Sequence, residues 1–416
     1  MKGCDSMINT GKERLPDINA YYRDLEAKLA MGEPCAVLQI DVSFLRGINR
    51  TFGRAAGDLL LKTTRERLLS CFPDIPVYLT KEIRFLVITD PTDYAKAAAL
   101  QKILSLPVEY NDMQLIPGIR VVFVNSREGD DYSLLSALLM HASGKQELLK
   151  NRVVEADETL RNETVESGYL MEELRFAIQN QTFEIWYQPV YDLHTEAFVS
   201  AEALARLRDR QGNFISPGRF IPFAERRYLI DPVTEIVVGK VCEFLGQNPD
   251  LPITSVSVNL TPDQIHDPNL PSRLAEVTKN FGTSMEKLRL EMTERSVQDD
   301  LAGAMAVMDE VNSLGSGFYL DDFGSGYSNL SSVMQLPFEA IKFDKTIADR
   351  LDDAVHARMI SLLAQMMHIG NRKIIFEGIE SDAQDAYCRE NGFDRIQGYR
   401  YAKPLPADEF KSLILS

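Results

Sequence analysis

The C-terminal part of the chain contains eight strand-like runs that alternate with helical stretches, and this repeat restricts the fold more than any other feature. The runs are FEIWYQPVY, AFVSAEALARL, SVSVNL, KLRLEMTE, GFYLDDF, AIKFDK, KIIFEGIE and RIQGYRYA. Eight such units in succession predict a (β/α)8 barrel. Only the turn DLHTEA (192–197) separates the first two runs. Because this turn is too short for a crossover helix, we expect a modified, TIM-like barrel with one antiparallel strand.

A second domain is expected ahead of the barrel, because 416 residues exceed what one hydrophobic core usually organises. Residues 18–155 alternate helical patterns with the apolar runs AVLQIDV, PVYLTKEIRFLVI and IRVVFV, which predicts an α/β domain. From roughly residue 145 to 180, Leu and Val recur at helical spacing among charged positions, and residues 156–167 within this stretch are interpreted as a helical linker. The barrel is assigned to residues 168–416.

The charge balance limits the partners of the chain. A net charge of −16 argues against binding to a nucleic-acid polymer or to anionic lipid headgroups, because an acidic surface repels both. An anionic ligand must therefore be bound where the charge is locally positive, through metal ions or a few placed Arg and Lys side chains.

Cysteine usage and hydropathy predict a cytoplasmic location. The five cysteines are dispersed and lack CxxC or Cys/His zinc spacing, which is typical of a reducing compartment. No apolar stretch approaches the roughly 20 residues needed to cross a bilayer, and MKGCDSMINTGKERLPD lacks the apolar core of a signal peptide. We therefore expect no membrane segment in this chain.

Polar side chains lie within or at the end of the barrel runs, where a (β/α)8 barrel places its active site. They are Glu202, Asn259, Glu291, Asp321, Asp322, Lys342, Glu377 and Gln397. So many converging carboxylates would repel one another unless cations neutralise them, and oxygen ligands favour magnesium or manganese. The adjacent pair Asp321 and Asp322 suits two ions, although turn or helix capping is the alternative for Asp322.

The segments AEALAR, SVNL, LRLEMTER, LDDFGSGYSNL, IKFDK, FEGIE and QGYRYAKPLP resemble the motifs of EAL phosphodiesterases, in family order. The resemblance spans about residues 168–416 and includes YQPV and FIPFAE. It implies an enzyme that hydrolyses cyclic di-GMP to linear 5'-pGpG with two divalent ions, magnesium or manganese.

The resemblance also implies residue roles around the metals. The implied metal ligands are Glu202, Asn259, Glu291, Asp321, Asp322 and Glu377. Asp321 is the implied bridge between the ions, and Glu202, Lys342 and Glu377 are the catalytic candidates. Lys342 matches the lysine that orients the attacking water and Glu377 is a candidate general base, and the sequence leaves open which of them acts.

Substrate contacts and a mobile loop are implied as well. The implied substrate-binding residues are Gln188, Leu204, Arg206 and Gln397. A surface salt bridge is the alternative for Arg206. One segment resembles the family's mobile loop, which couples metal binding to dimerisation. This segment comprises Asp322, Phe323, Gly324, Ser325 and Gly326, and Glu294 matches the residue that anchors the loop. A homodimer through this domain follows from the same resemblance.

Two positions depart from the family pattern without removing a ligand. Phe376 replaces a usual Ala in FEGIE, and Tyr228 stands where Gly is common after FIPFAE.

The run IDVSFLRGINRTFGRAAGDLLL (40–61) resembles the start of a GGDEF diguanylate cyclase domain. The signature turn reads KEIRF (81–85), so the glycines that allow close approach of phosphates are lost. Asp41 matches one acidic ligand but Ser43 replaces the second, which predicts a degenerate domain without cyclase activity. Asn49 and Asp58 match guanine-contacting positions, which allows binding of GTP or another regulatory ligand; helix capping is the alternative.

Three functions are compatible with these motifs. The first is the cyclic di-GMP phosphodiesterase with a regulatory GGDEF-like domain. The alternatives are a nonenzymatic cyclic di-GMP receptor that signals through a protein partner, and a phosphoesterase acting on other nucleotides.

Overall fold

The computed structural model describes residues 15–80, 83–145, 153–293, 300–325 and 330–416. The chain divides into two compact units, Met1–Tyr169 and Leu170–Ser416. The division falls within the helix Glu158–Asn180, and most of the predicted linker, residues 156–167, belongs to the start of this helix.

The first unit is built around one five-stranded sheet. Its strands and a separate hairpin are β1 (Ala36–Ser43), β2 (Val77–Leu79), β3 (Arg84–Thr89), β4 (Val108–Tyr110), β5 (Met113–Leu115), β6 (Gly118–Asn125) and β7 (Val154–Glu155). The sheet order is β2-β3-β1-β6-β7, and β4 pairs with β5. The helices are α1 (Ile18–Ala30), α2 (Leu45–Phe52), α3 (Arg54–Cys71), α4 (Tyr94–Leu104), α5 (Tyr132–Lys145) and α6 (Glu158–Asn180).

Helices cover both faces of this sheet. On one face Leu61 of α3 and Leu100 of α4 pack against alternate sheet residues such as Ile40. On the other face Leu25 of α1 and Leu138 of α5 lie in a second cluster. The predicted α/β domain is therefore present as a three-layer unit.

The run PVYLTKEIRFLVI forms two strands rather than one. β2 and β3 pair antiparallel, with Leu79 opposite Phe85. Ile83 has a φ of 62° in the connection, a left-handed conformation that ends an extended run. Ile83 lies within KEIRF (81–85), the segment where the sequence placed the degenerate signature turn.

The second unit is a closed barrel. Its strands are β8 (Glu184–Asp192), β9 (Ala197–Arg208), β10 (Phe214–Ile215), β11 (Ser255–Asn259), β12 (Leu288–Thr293), β13 (Gly317–Phe323), β14 (Phe338–Phe343), β15 (Lys373–Phe376), β16 (Arg395–Ile396) and β17 (Leu405–Pro406). The order β9-β11-β12-β13-β14-β15-β16-β8 closes through the pairing of β8 with β9. β8 is antiparallel to both of its ring neighbours, which confirms the modified TIM-like barrel.

Helices surround the barrel in the order expected of repeated β/α units. They are α7 (Pro217–Arg226), α8 (Ile230–Gln247), α9 (Pro262–Ile265), α10 (Leu270–Asn280), α11 (Leu301–Ser313), α12 (Leu330–Gln335), α13 (Lys345–Ala348), α14 (Ala354–Ile369), α15 (Asp382–Glu390) and α16 (Ala407–Leu415). None of the helices in the described ranges combines the length and the apolar character that a membrane span requires.

One apolar layer fills the lower part of the barrel interior. It consists of Val190, Tyr319, Ala340 and Ile375, one residue from each of four strands. Because side chains alternate between the two faces of a strand, the inward residue two positions further along each strand lies one layer higher. This layer therefore forms the floor of the site described next.

Candidate active site

Lys342 lies at the centre of a ring of carboxylates. Its side chain is 1% exposed, and four carboxylates from four different strands or strand ends surround Nζ. The distances from Nζ are 3.0 Å to Glu202, 2.6 Å to Glu291, 3.1 Å to Asp321 and 2.8 Å to Glu377. One lysine faces four carboxyl groups, so their full ionisation would leave the cluster with a net negative charge.

The two-residue period of the strands explains why these side chains meet. Lys342 follows Ala340 of the apolar layer, and Glu377 follows Ile375, each by two residues. β8 runs in the opposite direction, so Gln188 rather than residue 192 rises above Val190, and Gln188 pairs in register with Glu202. Each strand therefore places an apolar side chain in the floor and a polar one above it.

A β-bulge allows the neighbours Asp321 and Asp322 to serve the same site. In a regular strand they would point to opposite faces. The register of β13 against β14 shifts between Leu320 and Phe323, and Asp322 has a φ of 56°. With this left-handed residue, oxygens of Asp321, Asp322 and Glu377 lie within 4.8 Å of one another. A bulge next to a functional site is a common device for redirecting a side chain.

Two amides complete the cluster around Glu202. Asn259 Nδ2 donates to Glu202 Oε1 at 2.9 Å, and Gln397 Nε2 donates to Glu202 Oε2 at 2.8 Å. Both residues were predicted to be in the site, as a ligand and as a substrate contact. The sequence alone did not predict that both would hold Glu202.

Burial and the mutual repulsion of the carboxylates shift their pKa values. Burial, with the charge of Glu202 adding to it, raises the pKa of Glu291 well above its usual range. Burial also raises the pKa of Glu377 to about 8 and shifts the pKa of Asp321 upward. Burial alone would lower the pKa of Lys342, but the surrounding carboxylates raise it well above its ordinary value.

The donor set fits divalent cations. Glu202, Glu291 and Asp321 each offer an oxygen within 4.8 Å of the others, and Asp321 also belongs to the group with Asp322 and Glu377. Asp321 Oδ1 is buried without a well-directed hydrogen bond among the described residues, although Lys342 Nζ lies 3.1 Å away. Clustered carboxylate oxygens without Cys or His suit a hard ion such as magnesium or manganese.

Arg206 and Leu204 lie at the mouth of the barrel, above Glu202 on the same face of β9. Arg206 is half-buried, and burial lowers its pKa. Its Nη1 donates to the carbonyl of Ala205 at 3.1 Å, and no described carboxylate lies within 4 Å of the guanidinium. The alternative of a surface salt bridge for Arg206 therefore finds no partner in the described parts of the chain.

The sequence reading missed Trp186, whose indole ring lies 5.4 Å from Arg206 Cζ. Trp186 precedes Gln188 by two residues on β8 and pairs in register with Leu204. Its position two residues before a predicted substrate contact, on the same strand face, was the available signal.

The described part of the predicted loop begins in a constrained conformation. Phe323 is buried against Phe343, with ring centroids 5.2 Å apart. Gly324 has a φ of 92°, and a Cβ there would lie 2.4 Å from Ile347 Cδ1, so another residue would strain the backbone and displace Ile347. Ser325 is exposed. The predicted loop residue Gly326 and the predicted anchor Glu294 lie outside the described residues.

The two departures from the family pattern lie outside the carboxylate cluster. Phe376 points to the outer layer, where its ring stacks on Phe393 at 4.9 Å. Tyr228 is 86% exposed and has a φ of 56°. This left-handed conformation is a physical reason for glycine at the position.

The N-terminal candidates lie in α2 and α3. Asn49 of α2 packs over Gly57 of α3, so close that a Cβ on Gly57 would clash with the amide. Asp58 of α3 is half-buried.

The positions that match the cyclase metal ligands lie in β1. Asp41 is buried and pairs with Arg84 Nε at 3.2 Å, and Ser43 Oγ donates to the carbonyl of Gly118 at 2.7 Å. An arginine thus already neutralises the acidic residue that matches a cyclase metal ligand.

Comparison with known proteins identifies the family of the barrel. The EAL domain family model matches residues 171–404, more than half of the chain, and the chain belongs to this family. It is 28% identical over 410 residues to the cyclic di-GMP phosphodiesterase NbdA of Pseudomonas aeruginosa, covering 93% of this chain and 51% of NbdA.

Two further likenesses involve MucR. The chain is 26% identical over 390 residues to the bifunctional diguanylate cyclase/cyclic di-GMP phosphodiesterase MucR of Pseudomonas aeruginosa, covering 90% of this chain and 56% of MucR. A solved structure of the PaMucR phosphodiesterase in complex with c-di-GMP is 27% identical. It matches with a TM-score of 0.54 and covers 58% of this chain and 99% of that one. The chain spans about half the length of the curated relatives it matches.

Proposed function

We propose that the barrel, assigned to residues 168–416, hydrolyses cyclic di-GMP to linear 5'-pGpG with two divalent ions, magnesium or manganese. The observation that carries the proposal is the group of buried carboxylates around Lys342, with the half-buried Arg206 above it. NbdA and the PaMucR phosphodiesterase, by their names, act on or bind the same ligand.

The two groups of oxygens would hold two ions, and Asp321 belongs to both groups. Glu202, Asn259, Glu291 and Asp321 would hold one ion, and Asp321, Asp322 and Glu377 the other. Asn259 would turn its amide oxygen inward in place of the hydrogen bond that it now donates to Glu202. Ions bound there would stabilise negative charge at phosphorus and lower the pKa of the attacking water.

The protein side chains divide the remaining work of the reaction. Water attacks phosphorus, the bond from phosphorus to O3' breaks, and the freed 3'-hydroxyl takes a proton from solvent. The raised pKa of Lys342 keeps it protonated, so it orients the water. Glu377 would accept the proton from water in its ionised form, which bound divalent ions would favour, whereas burial favours its protonated form in their absence. Arg206 holds a nonbridging phosphate oxygen. Gln188 and Leu204 contact the nucleotide, and Gln397 also holds Glu202.

The test is to incubate the protein with cyclic di-GMP in magnesium, in manganese or in EDTA. Product formation is measured by chromatography. We expect metal-dependent formation of pGpG that disappears in Glu202→Ala. This substitution removes a proposed ligand of the first ion and the carboxylate that accepts hydrogen bonds from Asn259 and Gln397. Glu276→Ala, an exposed glutamate of α10, is the matched control and should keep wild-type activity. Absence of pGpG with either metal would refute the proposal that the barrel is a cyclic di-GMP phosphodiesterase.

The same experiment separates the receptor alternative. Cyclic di-GMP that binds in calorimetry without product would assign the barrel to nonenzymatic signalling through a protein partner. Hydrolysis of another nucleotide that cyclic di-GMP does not inhibit would assign it to the third function.

For the first unit, assigned to residues 18–155, we propose a regulatory role without cyclase chemistry. The pairing of Asp41 with Arg84 supports this, because the acidic residue is already neutralised without an ion. Asn49 and Asp58 are the proposed contacts to GTP or another ligand. A GTP titration that changes neither a binding signal nor the rate of pGpG formation would exclude GTP as that ligand.

We also propose a homodimer through the barrel domain. α14 exposes Val355, Met359, Leu362 and Ile369 at intervals of four, three and seven residues, which form one apolar stripe. The chain is acidic before α14, at Asp352, and basic after it, at Lys373. An antiparallel pairing of two copies would bring these opposite charges together. A second copy is therefore the partner that this surface suits.

A further inference from the structure

Trp186 lies at the mouth of the barrel and touches Arg206. The Arg206 guanidinium carbon is 5.4 Å from the centroid of the indole, within the range of a cation–π contact. Among the described residues, Arg206 otherwise makes a single hydrogen bond, which its Nη1 donates to the carbonyl of Ala205. The indole is therefore the main side-chain support for a half-buried cation without a described carboxylate partner.

The indole is itself held in place from several directions. Trp186 Nε1 donates to Glu184 Oε2 at 3.2 Å, and the ring packs edge-to-face on Phe214 at 5.6 Å. Arg208 links these two neighbours, because its Nε lies 2.5 Å from Glu184 Oε1 and its Cζ lies 3.5 Å from the Phe214 centroid. A side chain fixed by three contacts loses little further entropy when a ligand binds.

The strand geometry directs this assembly toward the carboxylate cluster. Val190, Gln188 and Trp186 are successive inward residues of β8, at the floor, at the level of Glu202 and at the mouth. In contrast, Tyr187 points outward and stacks on Phe244 and Phe410. Trp186 therefore belongs to the wall of the site rather than to the outer packing.

From this geometry we propose that Trp186 is a positioning residue for the substrate. Its indole holds the Arg206 guanidinium over the carboxylate cluster, where Arg206 takes a phosphate oxygen. The inference rests on the proposed function, since cyclic di-GMP supplies that phosphate. Trp186 acts through Arg206 and takes no part in the proton transfers.

Steady-state kinetics test this role. Trp186→Leu should raise KM for cyclic di-GMP about 3- to 20-fold while kcat changes less than about twofold, because the phosphate contact holds substrate and transition state alike. Trp186→Phe keeps a weaker aromatic contact and should raise KM only about 2- to 4-fold. Phe281→Leu, a change at a 41% exposed aromatic outside the barrel strands, should leave both constants unchanged.

A double-mutant cycle shows whether Trp186 acts through Arg206. In an Arg206→Ala background, Trp186→Leu should change KM by less than about twofold, because the group that it positions is gone. Independent effects that multiply in the double variant would overturn the proposal.

A substrate-free measurement separates this inference from the proposed function. Trp186 is the only tryptophan of the chain, so the emission reports on the surroundings of this one indole. Arg206→Ala should shift the emission maximum to longer wavelength as water replaces the guanidinium, whereas Arg226→Ala, on an exposed residue of α7, should not. An unchanged maximum in Arg206→Ala would overturn the inference even if the enzyme is active. If Arg206→Ala shows the shift but the wild type neither binds nor cleaves cyclic di-GMP, the proposed function would be removed and, with it, the role of Trp186 toward substrate.

Discussion

Replacement of Lys342 by methionine tests the electrostatics of the site most directly. Lys342→Met keeps the length of the side chain but removes the cation that lies 2.6 to 3.1 Å from four carboxylates. Removing one partner of a buried ion pair typically costs about 3–5 kcal/mol, because the remaining charge is left uncompensated. For a unit of this size each kcal/mol lowers Tm by about 2–4 °C. We therefore expect Tm to fall by about 6–20 °C in EDTA.

The loss should depend on pH and on metal. At lower pH the carboxylates can take up protons in place of the lysine charge, so the penalty should be larger at pH 8 than at pH 5.5. Magnesium or manganese should recover most of the loss, since a divalent ion can neutralise the same oxygens.

The assay is thermal unfolding followed by circular dichroism, in EDTA and in magnesium, at both pH values. Lys373→Met, a change at an exposed lysine, is the matched control and should shift Tm by less than about 2 °C. A Tm of Lys342→Met equal to that of the wild type in EDTA at pH 8 would refute the view that Lys342 balances the carboxylates.

Three further predictions follow from named side chains. In metal-free wild type the raised pKa of Glu377 makes the folded state bind more protons than the unfolded state, so stability should be greatest below pH 4.5 for this group and should decrease up to about pH 8; denaturant titrations between pH 5 and 8.5 measure it. Leu362→Glu should place a charge in the apolar stripe of α14 and shift the chain to monomer in analytical ultracentrifugation, whereas Glu276→Ala should not. Tyr228→Gly should stabilise the chain by about 0.5–1 kcal/mol, because it relieves a left-handed backbone at an exposed site; chemical denaturation measures it.

Each of these has an outcome that contradicts it. A stability that rises from pH 5 to pH 8 in EDTA would show that Glu377 is not neutral in the folded chain. An unchanged sedimentation coefficient in Leu362→Glu would exclude the stripe as the dimer surface. A destabilised Tyr228→Gly would mean that the tyrosine ring contributes more than its backbone costs.

The succession of eight strand-like runs and helical stretches accounts for how much of the barrel was predictable. The short DLHTEA turn between the first two runs indicated the antiparallel direction of β8. The ends of the strands were harder to predict from the sequence. In the run RIQGYRYA only Arg395–Ile396 forms a strand. The apolar and aromatic residues that follow continue without a regular ladder of backbone hydrogen bonds.

The candidate site was predictable in membership but not in arrangement. The polar residues at strand ends converge as expected, but a linear pattern does not show that Lys342 lies inside the ring of carboxylates. Asn259 and Gln397 illustrate the same limit, because their hydrogen bonds to Glu202 depend on strands far apart in sequence. Trp186 was overlooked because its role depends on a side-chain contact across β8 and β9.

The left-handed Asp322 sets thermal stability and chemistry against each other at one position. A non-glycine residue at this φ costs about 1–2 kcal/mol, which a glycine would relieve while removing a carboxylate from the proposed second ion position. Selection of this chain for heat resistance alone would therefore favour loss of that carboxylate. Such a variant would keep the barrel and Arg206 at its mouth but lose the proposed hydrolysis, so a single substitution could turn the proposed enzyme into a receptor.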